Sequence, residues 1–235
     1  MIESLKGPTI SEKHVRRLKE RGVVANIVRF VIDKIFWTSP YRWIDEWEKR
    51  VQERFEPNSE NWIRIRDRRY TISELYIIGW LGIAIALLVF NQLLPIIFVY
   101  ILMWRVVGIL NKEMGVVLFG ICKITEGRKV SASPRVVLLA LSNYLTAGLL
   151  FALLYSKVGT YQVDGSLTVS GLSISFAIVQ AFSVLFTLSP AYAPADLRTR
   201  LLTIGQGAFC YLFGVLIISN FVTLLSLKTE LEPEV

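Results

Sequence analysis

The chain has 235 residues, of which 53% are hydrophobic, and its formal net charge is +7. A water-soluble domain of this size does not carry several apolar runs of membrane-spanning length, so the sequence predicts an all-α integral membrane protein. The basic excess lies mainly in residues 1–70 and 111–135, beside apolar segments. This distribution is typical of a cytoplasmic face under the positive-inside rule, and it does not indicate nucleic-acid binding.

Few side chains of the chain are suited to catalysis or metal binding. The two cysteines, Cys122 and Cys210, are far apart, so we expect no disulfide framework. The single histidine, His14, supports neither a catalytic triad nor a histidine metal site. A phosphate-binding Gly-Lys loop is absent. We therefore expect no enzyme activity, no metal and no cofactor.

Residues 1–70 are predicted to form a helical region in the cytoplasm or the membrane interface. Residues 24–37 have one apolar face and could lie in the interface or pack against a partner. Pro40 marks the start of a further helix, on which Trp43 and Trp47 suit either packing or an aromatic belt.

The end of this region is strongly basic. Residues 62–66 alternate apolar and basic side chains, which predicts a short extended segment. Arginines just before the first apolar run favour the cytoplasmic side and could bind anionic lipid headgroups. These candidates are Arg64, Arg66, Arg68 and Arg69.

Four apolar runs predict four membrane spans. The first is expected to open at a capping box formed by Thr71 and Glu74. The predicted bounds are about residues 72–90, 93–110, 136–155 and 201–225. The chain then divides into the N-terminal region, the first two spans with a basic linker, a pore-like module and an acidic tail, at residues 1–70, 71–135, 136–226 and 227–235.

Residues 171–188 can be interpreted in two ways. If this apolar stretch crosses the bilayer, there are five spans and the C-terminus is outside. If it re-enters, there are four spans and both termini are cytoplasmic. The stretch is more polar than the other apolar runs, and we favour re-entry as a pore helix between the last two spans.

Several features of residues 136–226 occur in a recognisable order. They are Asn143-Tyr144 in an outer helix, a short Ser/Thr-rich helix, Pro194 after it, Arg200-Leu201-Leu202 at the start of an inner helix, and Gly214 within that helix. In this order the stretch resembles the pore module of the small prokaryotic potassium-channel family, and residues 100–120 resemble the segment before the module in some four-span members. The resemblance implies a homotetramer that passes monovalent ions across a bacterial or archaeal inner (plasma) membrane.

The selectivity filter of that family, Thr-x-Gly-Tyr-Gly-Asp, is not present. The equivalent residues are Thr187, Leu188, Ser189, Pro190, Ala191 and Tyr192. Ser189 and Ala191 replace the two glycines, whose conformational freedom a carbonyl-lined filter uses, and Pro190 has a fixed φ. The sequence therefore predicts a wider, weakly selective pore lined by Thr187, Ser189 and Tyr192, or a pore fold that does not conduct.

The last span carries three further candidates. Ser219 and Thr223 could line an inner vestibule, or they could make hydrogen bonds between helices. Gly214 could be a gating hinge, as the resemblance implies, or a point of close helix packing.

Two functional hypotheses follow from the sequence. The first is a potassium-channel-like pore-loop protein that acts as a weakly selective cation channel. The alternative is a non-conducting membrane scaffold or effector whose N-terminal helices recruit a soluble partner.

Overall fold

The computed structural model describes most of the chain, namely residues 23–57, 59–115, 134–163 and 167–231. The expectations for the first 22 residues, for most of the basic linker and for the end of the acidic tail lie outside the described residues. The described part is mostly helical. Its helices are α1 (Val23–Trp37), α2 (Pro40–Gln52), α3 (Glu60–Val89), α4 (Phe98–Met114), α5 (Pro134–Lys157), α6 (Ile174–Thr187) and α7 (Leu197–Leu231).

Three described helices are long and apolar enough to cross a membrane. They are Glu60–Val89, Val137–Lys157 and Leu197–Ile218, which belong to α3, α5 and α7. The chain is therefore a mostly helical membrane protein. The predicted second span corresponds to α4, which has 17 residues and is not among these three.

The start of α3 differs from the sequence prediction. The helix begins at Glu60, and the Ser59 hydroxyl accepts a hydrogen bond from the Trp62 amide at 3.3 Å, as an N-cap does. Thr71 lies inside the helix, and its hydroxyl donates to the carbonyl of Asp67 at 3.2 Å. The predicted capping box and the predicted extended segment at residues 62–66 are therefore wrong. The predicted boundary between residues 70 and 71 falls within one continuous helix.

The polar first part of α3 is stabilised by α2. Arg68 Nε donates to Glu48 Oε2 at 2.9 Å, and Arg69 donates to Asp45 Oδ1 at 2.9 Å. Arg69 is buried and also donates to the Gln52 side chain at 2.7 Å. Because these arginines have carboxylate partners on α2, the basic segment continues as a helix instead of an extended arm.

The other two arginine candidates lack such long-range partners in the described chain. Arg66 forms an ion pair with its neighbour Asp67 at 3.2 Å. Arg64 is exposed. Of the four predicted headgroup ligands, Arg64 is thus exposed and has no ion pair with a described residue.

The predicted helix at residues 24–37 is confirmed as α1. Its backbone contacts α4 at Ile32, whose carbonyl accepts a hydrogen bond from the Asn111 side chain at 2.9 Å. The predicted helix start at Pro40 is also confirmed, with Ser39 as the N-cap residue. Much of the apolar surface of α1, including Val24, Ile27 and Phe30, remains exposed.

α5 lies at the centre of the core and packs against α3, α4, α6 and α7. Its small residues allow α6 to approach closely. A Cβ at Gly148 would lie 3.0 Å from Leu185 Cδ2 on α6. α5 also contacts α4, where the Asn143 side-chain amide donates to the buried Glu113 carboxylate at 2.9 Å.

A small antiparallel sheet, which was not predicted, follows α5. Its strands are β1 (Thr160–Val163), β2 (Leu167–Ser170) and β3 (Ala193–Pro194), in the order β2-β1-β3. The glycine at position 171 follows β2 with φ at +70°, and a Cβ there would lie only 2.7 Å from the Ser156 carbonyl oxygen. The chain can therefore turn from the hairpin into α6 only because residue 171 is glycine.

Candidate pore loop

The short helix α6 runs antiparallel to α5. At its beginning, the Leu172 amide donates to the Tyr155 carbonyl at 3.1 Å. Near its end, the Tyr144 hydroxyl donates to the Leu185 carbonyl at 2.7 Å. Tyr155 and Tyr144 are about 16 Å apart along the axis of α5, so α6 ends beside the middle part of the apolar segment of α5.

The length of α6 separates it from the membrane-spanning helices. Its 14 residues extend over about 21 Å, which is less than the ~30 Å hydrocarbon core of a bilayer. The predicted helical stretch at residues 171–188 is thus confirmed as a helix, which begins three residues later and ends one residue earlier than predicted.

After α6 the chain reverses direction at Leu188. This residue has a φ of 57°, and it is the one non-glycine residue with positive φ in the described ranges. A left-handed C-cap without glycine is unfavourable by roughly 1 kcal/mol, so the surrounding contacts must hold this turn in place.

The chain then returns alongside α6. The Tyr192 amide donates to Gln180 Oε1 at 2.7 Å, and the Tyr192 ring lies 5.4 Å from the Phe176 ring. Ala193 and Pro194 then pair with Gln162 and Tyr161 of β1. Residues 171–194 therefore begin and end beside the same end of α5.

The loop between α6 and β3 lies at the surface of the chain. The side chains of residues 186–191 are exposed. Thr187 bonds locally, since its hydroxyl donates to the Ser183 carbonyl at 2.6 Å and accepts from the Ser189 amide at 3.3 Å. Within the described ranges, no residue donates a hydrogen bond to the carbonyl oxygens of residues 188–191.

Two buried glutamines hold α6 and the returning loop in place through hydrogen bonds. Gln206 on α7 accepts from the Tyr155 hydroxyl at 2.6 Å and donates to the Ala181 carbonyl at 2.7 Å. Gln180 on α6 is likewise fully buried, and its Oε1 accepts from Tyr192. Its Nε2 has no hydrogen-bond partner among the described residues. Together these side chains connect α5, α6, α7 and the returning loop.

The start of α7 is tied to the sheet. Asp196 caps the helix, since its Oδ1 accepts from the Thr199 amide at 2.7 Å and its Oδ2 accepts from the Thr160 hydroxyl at 2.9 Å. Hydrogen bonds from Thr199, and then from Thr160, hold the pKa of the Asp196 carboxyl below its ordinary value. The Thr160 amide donates in turn to the Thr199 hydroxyl at 2.7 Å.

The structure brings the predicted filter-equivalent residues together in the loop, but it gives them different surroundings. Ser189, Pro190 and Ala191 are exposed. Tyr192 is half-buried against α6, and the Thr187 hydroxyl is engaged within its own turn.

The inner-helix candidates all lie on α7. At Gly214 a Cβ would meet no atom within 4 Å, so this glycine is not a close-packing point within the described chain. Ser219 and Thr223 lie further along α7, but their side chains are outside the described residues.

The supporting residues were missed in the sequence. A signal for Gln180 and Gln206 was present, because a glutamine in an apolar membrane segment needs a hydrogen-bond partner. Their partners, Tyr192 and Tyr155, could not be identified without the turn at Leu188 that brings the loop back.

Comparisons with known proteins identify no relative of this chain. No family model matches it, and no similar chain was found among curated proteins or among solved structures. The fold thus defines a helical membrane protein, and the geometry of residues 171–194 is the basis for a functional proposal.

Proposed function

We propose that the chain is a potassium-channel-like pore-loop protein, which assembles as a homotetramer around α6, the loop at residues 187–192 and α7. It acts as a weakly selective cation channel in the bacterial or archaeal inner membrane, with both termini in the cytoplasm. The observation that carries the proposal is the pairing of Ala193 with Gln162, because it returns the chain to the side where α6 began. A short apolar helix followed by such a return is the geometry of a re-entrant loop.

The exposed backbone of the loop supports a water-filled cavity. Irregular backbone is tolerated at membrane depth only where it is buried in protein or lines water. Each unsatisfied polar group in hydrocarbon costs several kcal/mol, and the carbonyl oxygens of residues 188–191 have no donors in the described chain. A pore formed between copies of the chain would place these groups against water and ions.

The composition of the loop suits weak cation selectivity. Residues 171–195 contain no charged side chain, so the loop offers carbonyl and hydroxyl oxygens, which are ligands for cations. Residues 187–192 contain Pro190 and no glycine, which argues against a regular series of carbonyl binding sites along the pore. Gating by movement of α7 is part of the proposal, with Gly214 as the hinge and Ser219 and Thr223 near the inner vestibule.

Cysteine modification tests this proposal in liposomes. In a background with Cys122→Ser and Cys210→Ala that retains ion flux, we expect Ala191→Cys to react with a membrane-impermeant thiol reagent from one side only. The reaction should reduce flux by more than half, because the modified side chain would obstruct the pore. The matched control is Leu145→Cys, an exposed α5 position at the depth of Leu185, which lipid should protect.

Two results would contradict the proposal. Equal protection of the cysteines introduced at positions 191 and 145 would show that no water reaches the loop. Rapid modification at position 191 without a change in flux would show that the loop does not line the conducting path.

A further inference from the structure

A groove lined by aromatic and basic side chains lies on the N-terminal helices, far from the candidate pore loop in sequence. It extends along α2 beside the end of α1 and measures about 250 Å³. Its lining residues are Trp37, Arg42, Trp43, Glu46, Trp47 and Arg50. The three tryptophans are 59–63% exposed, so they form a largely uncovered apolar surface. The Arg42 guanidinium lies 5.8 Å from the centre of the Trp37 ring.

The turn between α1 and α2 lies against the membrane helices. Trp104 Nε1 on α4 donates to the Thr38 hydroxyl at 3.1 Å. The Tyr41 ring at the start of α2 lies 5.2 Å from the Tyr76 ring on α3. α2 then runs antiparallel to α3, toward the Asp45–Arg69 ion pair. The groove therefore extends from the apolar part of α3, near Tyr76, toward its basic N-terminal part, near Arg69.

One net positive charge lies in this groove. Arg42 and Glu46 form an ion pair at 3.6 Å and largely neutralise each other. Arg50 makes no ion pair with any residue that the structure describes. The nearby acids Asp45 and Glu48 are already bound to α3. The guanidinium of Arg50 is thus available to an anion.

We propose that this groove binds one anionic phospholipid of the surrounding bilayer, with its phosphate at Arg50 and its glycerol and upper acyl chains against Trp43 and Trp37. Arginine binds phosphate through paired hydrogen bonds, and tryptophan is favoured at the boundary between headgroups and hydrocarbon. Positions 43 and 50 are about 10 Å apart along α2. The headgroup layer on each side of a bilayer is about 5–7 Å thick, so a phosphate at Arg50 places Trp43 at the acyl chains.

This site differs from the four arginines that the sequence predicted as headgroup ligands. Arg68 and Arg69 are bound to carboxylates of α2. They hold α2 in place, and α2 presents the groove. The proposed lipid ligand is therefore Arg50 on α2, and not an arginine of α3.

The test is native mass spectrometry of the detergent-purified full chain, titrated with phosphatidylglycerol. We expect one saturable lipid per chain, with affinity reduced about tenfold by Arg50→Gln, since a hydrogen bond to a charged group is lost. Trp43→Ser should also weaken binding, by several-fold. The matched control is Lys49→Gln, which removes one positive charge from an exposed position of α2 outside the groove and should leave the affinity unchanged. Thermal unfolding without lipid should be the same for all variants, because both target side chains are exposed.

Each alternative has its own outcome. Equal weakening by Arg50→Gln and Lys49→Gln would overturn the proposal in favour of diffuse charge attraction. Displacement of the lipid by the same concentration of inorganic phosphate would overturn it in favour of a simple anion site, and equal affinity for phosphatidylcholine would overturn the anionic preference. Unchanged lipid affinity in both groove variants would overturn it and leave a protein partner as the occupant.

Discussion

Replacement of Arg69 by alanine is expected to destabilise the N-terminal helices by about 2–3 kcal/mol. Arg69 is buried and donates to both Asp45 and Gln52. Removing one partner from a buried ion pair costs roughly 3–5 kcal/mol, and the partial exposure of Asp45, at 26%, lowers the expected value. The measurement is the free energy of unfolding by denaturant in detergent micelles.

Limited proteolysis provides a second measurement for the same variant. Residues 53–57 and Ser59 join α2 to α3, and loss of the ion pair should release α2 and expose this connection to cleavage. Arg69→Lys should have an intermediate effect, because lysine cannot reproduce the two-pronged hydrogen bonds of the guanidinium. Arg64→Ala is the control and should change stability by no more than about 0.5 kcal/mol. Equal effects at positions 64 and 69 would mean that net charge, not this contact, stabilises the helices.

Replacement of Gln180 by leucine is expected to release the returning loop from α6. The Tyr192 amide would lose its acceptor in a partly buried position, which costs about 1–3 kcal/mol. Removal of the unpartnered Nε2 offsets part of this cost, so we expect a net loss of about 1–2 kcal/mol. Since Gln180 holds the loop at a fixed distance from α6, ion flux or selectivity should change together with stability.

The control for this prediction is Gln162→Leu. Gln162 lies on β1 with its side chain exposed, so the same chemical change should leave thermal stability and flux nearly unaltered. Unchanged flux and unchanged stability in Gln180→Leu would contradict the supporting role of Gln180. Lower stability with unchanged flux would show that the position of the loop does not affect ion conduction.

The helices of the second half of the chain were predictable because their signals are local. α5 is a long apolar run after a proline and basic residues, and α6 is a shorter apolar run with polar flanks. Their lengths follow from where the apolar composition ends. The preference for re-entry rests on the polar side chains of residues 171–188, whereas the short length of 14 residues is known from the structure.

The start of α3 was not predictable from local signals alone. Thr71 and Glu74 have the spacing of a capping box, and the actual cap at Ser59 lies three turns earlier. What extends the helix is the pairing of Arg68 and Arg69 with α2. Such a contact between helices far apart in sequence outweighs a local capping pattern.

The sheet and the loop geometry also depend on long-range contacts. β1 and β2 have four residues each, and a hairpin of this size is marginal without a third partner. That partner is β3, 30 residues further on, which reaches β1 only because the chain reverses at Leu188. The sequence therefore indicated a loop at residues 187–192, but not the contacts that hold it.

Ion flux into liposomes that contain the purified chain is the most direct test of the proposed pore. Potassium, sodium and chloride gradients should be compared at equal protein density, with crosslinking to establish the number of chains per assembly. We expect potassium and sodium to pass at similar rates, chloride to pass far more slowly, and the assembly to be a tetramer. Absence of cation flux from a tetramer reconstituted under several lipid and pH conditions would contradict the pore, and strong potassium selectivity would contradict the role given to Ser189, Pro190 and Ala191.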